Sequence, residues 1–167
     1  MCEVICSSRG GNTWKLATAI ADELNLKAKH IRSVKSLPDG ADLLIGSGLY
    51  FLRPSKMVRA FIRNNDFRGR KVAIFGTSTT GIGIETLVMK RLLKRKGASI
   101  VGDYHCAGAF RIRLAGRFFF IRAKRPADTD LEKAREFARS VGNRLSSAEP
   151  ITASHQEERG DRVLTTV

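Results

Sequence analysis

Three short apolar runs along the chain each stop abruptly at small residues. Glu3 to Cys6 ends in Ser7, Ser8, Arg9, Gly10 and Gly11; Asp42 to Ile45 ends in Gly46, Ser47 and Gly48; Val72 to Phe75 ends in Gly76, Thr77, Ser78, Thr79, Thr80 and Gly81. Runs that are apolar throughout predict strands buried on both faces, as in a parallel sheet. Each is followed by a helical period. Leu16, Ile20 and Leu24 with Ala17 and Ala21 form one stripe; Met57, Val58, Phe61 and Ile62 form a second, with Pro54 expected in its first turn. A third stripe is read as Leu87, Val88, Leu92 and Leu93, stopped at Gly97. Ser99 to Val101 starts another strand, and a last helix runs from about Asp130 to Leu145 with Leu131, Ala134, Phe137, Ala138 and Val141 inward. Ala28 to Val34 is a weaker strand, expected at the sheet edge. Alternating strands and helices of this size predict an α/β, three-layer, doubly wound fold of five strands with helices on both faces.

The chain has 167 residues, 43% hydrophobic and 28% charged, which suits one globular domain. That domain is read as 1–147, with 148–167 a flexible tail. No apolar run approaches the roughly 20 residues of a membrane span, and the first residues lack the pattern of a secretory signal, so a cytoplasmic protein is expected. Cys2, Cys6 and Cys106 are an odd number without paired spacing, and are read as free thiols that pack as small hydrophobes. His30, His105 and His155 form no ligand spacing, so no metal site is expected.

Lys and Arg outnumber Asp and Glu by 30 to 16, a net charge of +14. The tail does not carry that excess, since Glu149, Glu157, Glu158 and Asp161 outnumber Arg159 and Arg162 there. Such a field favours acidic partners, anionic lipid or nucleic acid.

In open α/β sheets ligands bind outside the carboxyl ends of the strands, where all three small-residue loops lie. The first, Ser7, Ser8, Arg9, Gly10, Gly11, Asn12 and Thr13, runs straight into a helix. Its glycines let backbone N–H groups turn toward an anion, and its hydroxyls donate as well. It is neither a triphosphate loop, since no Lys follows the glycines, nor a G-x-G-x-x-G fingerprint. The competing reading is a turn that only caps the helix.

Cys6 to Thr13 resembles the flavodoxin phosphate signature, in which a strand ends in S/T-x-T-G-x-T. Ser8, Gly11 and Thr13 match; Gly10 stands where the family has a Thr, which removes one hydroxyl. Ser47, Gly48, Leu49, Tyr50 and Phe51 resemble the family's first flavin-facing loop, with Ser47 and Gly48 as the turn and Tyr50 or Phe51 covering the ring. Left to themselves, Tyr50 and Phe51 could equally pack on the next helix. Thr77, Ser78, Thr79, Thr80 and Gly81 resemble the second flavin loop, without the aromatic many flavodoxins carry. The resemblance spans roughly Glu3 to Gly142. It implies sheet order 2-1-3-4-5, bound FMN, and electron transfer.

Phe110 to Arg125 holds four Phe and six bases without an acid. It is read either as a loop filling the core beside the flavin or as a contact for a partner. A similar basic, aromatic stretch occurs in the flavodoxin-like, quinone-linked protoporphyrinogen dehydrogenases, which are membrane-associated. The leading expectation is an FMN electron carrier whose partner is an acidic redox protein such as a ferredoxin or oxidoreductase. Two rivals stand beside it: an FMN oxidoreductase of the quinone-linked or protoporphyrinogen type peripheral to an anionic membrane through Phe110 to Arg125, and a basic, flavin-free module that binds nucleic acid.

Overall fold

A computed structural model describes residues 2–34, 37–114, 117–121 and 124–146. The expected tail therefore lies outside the described residues. The elements in chain order are β1 (Cys2–Ser7), α1 (Asn12–Glu23), β2 (Ala28–His30), β3 (Asp42–Tyr50), β4 (Arg53–Pro54), α2 (Lys56–Asn64), β5 (Lys71–Ser78), α3 (Ile84–Arg95), β6 (Ser99–Ala107), β7 (Phe110–Leu114), β8 (Arg117–Ile121) and α4 (Asp128–Ser146).

The main sheet runs β2-β1-β3-β5-β6, all parallel, with the short β4 folded back antiparallel on β3. Setting β4 aside, this is the expected order. The weak strand is shorter than read: it ends at His30 and passes into a 3-10 turn, Ile31–Ser33. Each central strand is flanked on both sides, so its apolar run is buried on both faces. One face holds Val4, Cys6, Leu44 and Phe75 against Leu16 and Ile20 of α1 and Ala134, Ala138 and Val141 of α4. The other holds Ile5, Leu43, Ile45 and Ile74 against Val58 and Ile62 of α2 and Met89 and Leu93 of α3. Each large side chain fully withdrawn from water contributes about 1.5–3 kcal/mol, before the entropy of ordering it.

Three local readings are corrected. Pro54 belongs to β4; α2 begins two residues later, where Ser55 Oγ accepts the Val58 N–H at 3.2 Å as its N-cap. On α3 the buried stripe is Glu85, Thr86, Met89 and Leu93, so Leu87 faces solvent at 48% exposure. Where a loop was expected, β7 and β8 form a second, antiparallel sheet in which Phe110 pairs with Ile121 and Leu114 with Arg117. Among the described residues, no helix is long and apolar enough to cross a membrane.

Candidate functional site

At the carboxyl edge of β1, β3, β5 and β6 lies a cavity of about 680 Å³. Four segments line it: Ser8 to Thr13 except Gly11, Gly48 to Phe51, Thr77 to Thr79, and Gly108 with Ala109. Its size falls within the usual range for a small-ligand or cofactor site.

The first loop enters α1 through Gly11, whose φ of +82° suits glycine. No side chain caps α1, and its first turn contains no acid. Its leading N–H groups thus form a positive helix end open to an anion. Asn12 does not serve as a cap. Its Nδ2 donates to the Ala109 carbonyl at 2.6 Å and ties the helix start to the end of β6. The backbones come close at Gly108, where a Cβ would lie 3.0 Å from Asn12 Nδ2 and 3.3 Å from Thr77 Cβ. Gly108 N–H in turn donates to the Ser78 carbonyl at 2.9 Å.

Two hydrogen bonds join loops far apart in the chain. Thr13 Oγ1 and Thr77 Oγ1 are 2.8 Å apart and buried between the first and third loops. Arg9 N–H donates to Tyr50 Oη at 3.0 Å, and the Arg9 guanidinium sits 4.7 Å above the Tyr50 ring. Tyr50 therefore folds back across Gly48 toward the first loop, rather than onto the next helix. Phe51 is 97% exposed at the tip of the β3–β4 turn, so it does not pack on that helix either.

The remaining expected residues lie near the cavity without lining it. Ser47 is committed elsewhere: its hydroxyl accepts the Ser55 N–H at 2.9 Å and donates to the Gly48 carbonyl at 2.8 Å, holding β3 to the start of α2. Ser78, which does line the cavity, also accepts the Gly81 N–H at 2.9 Å, so Gly81 and Thr80 shape the third turn. Ser7 is fully buried, and its hydroxyl is unpartnered among the described residues. Gly108 and Ala109 were not read as site residues. Their nearest signal is the small-residue end of a strand, the same feature that marks the other three loops.

Among the described residues, no carboxylate lines the cavity. Glu85 lies behind the third loop, fully buried with both oxygens unpartnered among the described residues, and burial raises its pKa. Just before the first loop, burial pushes the Cys6 thiol up to about 12, so it stays neutral and unreactive at ordinary pH. The cavity thus combines an uncapped helix end, several hydroxyls and a wall formed by Leu49, Tyr50 and Phe51. These are complementary to an anion at one end of a ligand and a flat apolar group at the other.

No protein-family model matches the chain. It is 33% identical over 135 residues to the uncharacterized protein MJ0298 of Methanocaldococcus jannaschii, covering 78% of this chain and 89% of that one. Among solved structures it superposes on oxidised flavodoxin 1 of Bacillus cereus with a TM-score of 0.63 at 19% identity, over 87% of this chain and 99% of that one. The chain belongs to the family of that archaeal protein and has the flavodoxin fold. The flavodoxin of Fusobacterium nucleatum, solved bound to flavin mononucleotide, aligns with a TM-score of 0.64 at 13% identity, over 86% of this chain and 97% of that one. In this flavodoxin-like chain the cavity lies at the switch point, between β1 and β3, where the direction of strand addition reverses.

Proposed function

We propose that this chain binds one FMN in the carboxyl-edge cavity and passes electrons between partner proteins. The observation that carries the reading is the uncapped N-terminus of α1 facing a cavity that, among the described residues, no carboxylate lines. Residues Ser8 to Thr13 would hold the phosphate, through loop and first-turn N–H groups and the hydroxyls of Ser8 and Thr13. Gly10 leaves that shell with one hydroxyl fewer than the flavodoxin signature. Gly48 to Phe51 and Thr77 to Thr79 would flank the ring, Tyr50 giving an aromatic face and Thr77 to Thr79 a polar one. Bound there, FMN would supply one- and two-electron chemistry.

The chain's own contribution is position and charge. Arg9 places a cation beside the phosphate loop and Tyr50, where it would favour a more negatively charged, reduced ligand. The Thr13–Thr77 bond and the Asn12–Ala109 bond hold the walls at fixed spacing, so little need reorganise as charge changes.

The test is the visible spectrum of the purified protein, followed by titration of the flavin-free protein with FMN and with riboflavin. Absorption near about 450 nm, and FMN bound more tightly than riboflavin, are expected. A colourless protein that binds neither flavin overturns the reading. Electron transfer itself is read by photoreducing the flavin-loaded protein and following its reoxidation by an acidic ferredoxin at low and high salt. Faster transfer at low salt is expected from the basic surface.

A further inference from the structure

The described segments that leave the carboxyl edge are 7–15, 46–56, 76–84, 107–114, 117–121 and 124–127. Together they contain no Asp or Glu, yet they hold Arg9, Lys15, Arg53, Lys56, Arg111, Arg113, Arg117 and Lys124, besides Arg125, whose guanidinium is paired with Asp130 at 2.7 Å. The same segments carry large apolar side chains that face water: Phe51 at 97% exposure, Leu52 at 70%, Ile82 at 67% and Trp14 at 38%. A basic surface studded with exposed apolar tips is costly in water and suits an interface that is both anionic and apolar.

Two features show that the fold builds this surface. Phe51 and Leu52 are the central residues of the two-residue turn joining β3 to β4, and both adopt positive φ, 49° and 59°. Such turns ordinarily take Asn-Gly, because L side chains rarely adopt this conformation. Here the strained positions hold two large hydrophobes at the mouth of the cavity. The β7–β8 hairpin is the second feature. Its register pairs Phe110 with Ile121, Arg111 with Phe120, Ile112 with Phe119, Arg113 with Phe118 and Leu114 with Arg117. The hairpin's base adjoins the cavity, where Ala109 N–H donates to the Arg125 carbonyl at 3.1 Å.

We propose that this edge docks on the surface of an anionic lipid bilayer. The β7–β8 hairpin and the Phe51–Leu52 turn enter the headgroup layer, and the Lys and Arg side chains meet lipid phosphates. An acidic protein would satisfy the charge alone. It gives no reason for strained turn residues to hold apolar groups out in water, whereas the acyl boundary does. Docking in this way turns the cavity mouth toward the membrane. The argument concerns the surface and holds whether or not the cavity carries flavin.

The chain contains one tryptophan, Trp14, and it lies on this edge. The full-length protein is mixed with vesicles of phosphatidylcholine alone or of phosphatidylcholine and phosphatidylglycerol in equal parts. Co-sedimentation and Trp14 emission are followed at low and high salt, and flavin absorbance in the same fractions reports cofactor content separately. Sedimentation with the anionic vesicles only, a blue shift of Trp14, and a fraction that survives high salt are expected. Leu52→Ser, at a solvent-facing position, should lower the partition coefficient about tenfold without changing the unfolding midpoint. Failure to sediment with anionic vesicles at low salt overturns the proposal. So does binding that salt abolishes and Leu52→Ser leaves unchanged, since that is charge without insertion. If a soluble acidic ferredoxin shifts Trp14 emission while vesicles do not, the edge is a protein-docking face and the proposal falls.

Discussion

The hydroxyls of Thr13 and Thr77, 64 residues apart in the chain, lie 2.8 Å from each other in the cavity wall. Both residues are buried, at 1% and 4% exposure. This one contact joins the start of α1 to the end of β5.

Removing either hydroxyl strands the other. Thr77→Val alone should cost about 1–3 kcal/mol of unfolding free energy, as should Thr13→Val. The double variant should cost clearly less than the two added together, because no buried donor is then left unmatched. Urea denaturation of the four proteins measures the coupling, and strict additivity would show that the two threonines do not act as a pair.

Gly46 lies beside Phe75 in the β3–β5 ladder, and a Cβ at that position would fall 2.1 Å from a Phe75 ring carbon. Phe75 is fully buried and cannot swing away. Gly46→Ala should therefore destabilise the protein by about 1–3 kcal/mol, and Phe75→Leu in the same chain should recover part of that loss. Thermal unfolding compares the three; an unchanged midpoint for Gly46→Ala would contradict the packing.

Glu85 has a carboxyl pKa raised above the ordinary 4.5 by burial. The folded protein therefore keeps this proton at a pH where the unfolded chain has released it. The associated stability is fully present below about pH 4.5, and is lost as pH rises from there through the raised folded value. Glu85→Gln has no such proton to lose, so it should gain stability relative to the parent as the pH is raised. Urea midpoints at acid and neutral pH test this, and parallel pH profiles would rule out the linkage.

Replacing Phe51 and Leu52 with Asn and Gly should relieve the strained turn. Each non-glycine residue in the left-handed region costs about 1–2 kcal/mol, so a gain of that order is expected, seen as a thermal midpoint several degrees higher. The same protein should bind anionic vesicles less well. A variant that is both more stable and less membrane-bound would show stability given up for a surface function. A variant that is less stable would mean that Phe51 and Leu52 make contacts that outweigh their strain.

The layered fold was legible because its signals are local. Apolar runs such as Val72 to Phe75 mark buried strands, and the Gly, Ser and Thr residues after them mark where the backbone turns at the carboxyl edge. The first loop announced itself in the same way, since a helix start without a cap is a property of adjacent residues. Side-chain direction was less accessible. On α3, Leu87 suited the apolar stripe by period, but the helix settled with Glu85 and Met89 against the sheet. Its rotation is set by what β5 and α2 offer rather than by its own sequence.

Local sequence was therefore enough for the order of elements, the edge where the loops gather, and the excess of bases. Burial preference and turn formation act between near neighbours. It took the packed layers to bond Thr13 to Thr77, to bring Tyr50 to Arg9 and Asn12 to Ala109, and to set Ser47 against Ser55 instead of facing the cavity. Except for the last, these contacts join positions more than 40 residues apart. Each depends on the distance between packed layers, and that distance exists only once both faces of the sheet are covered.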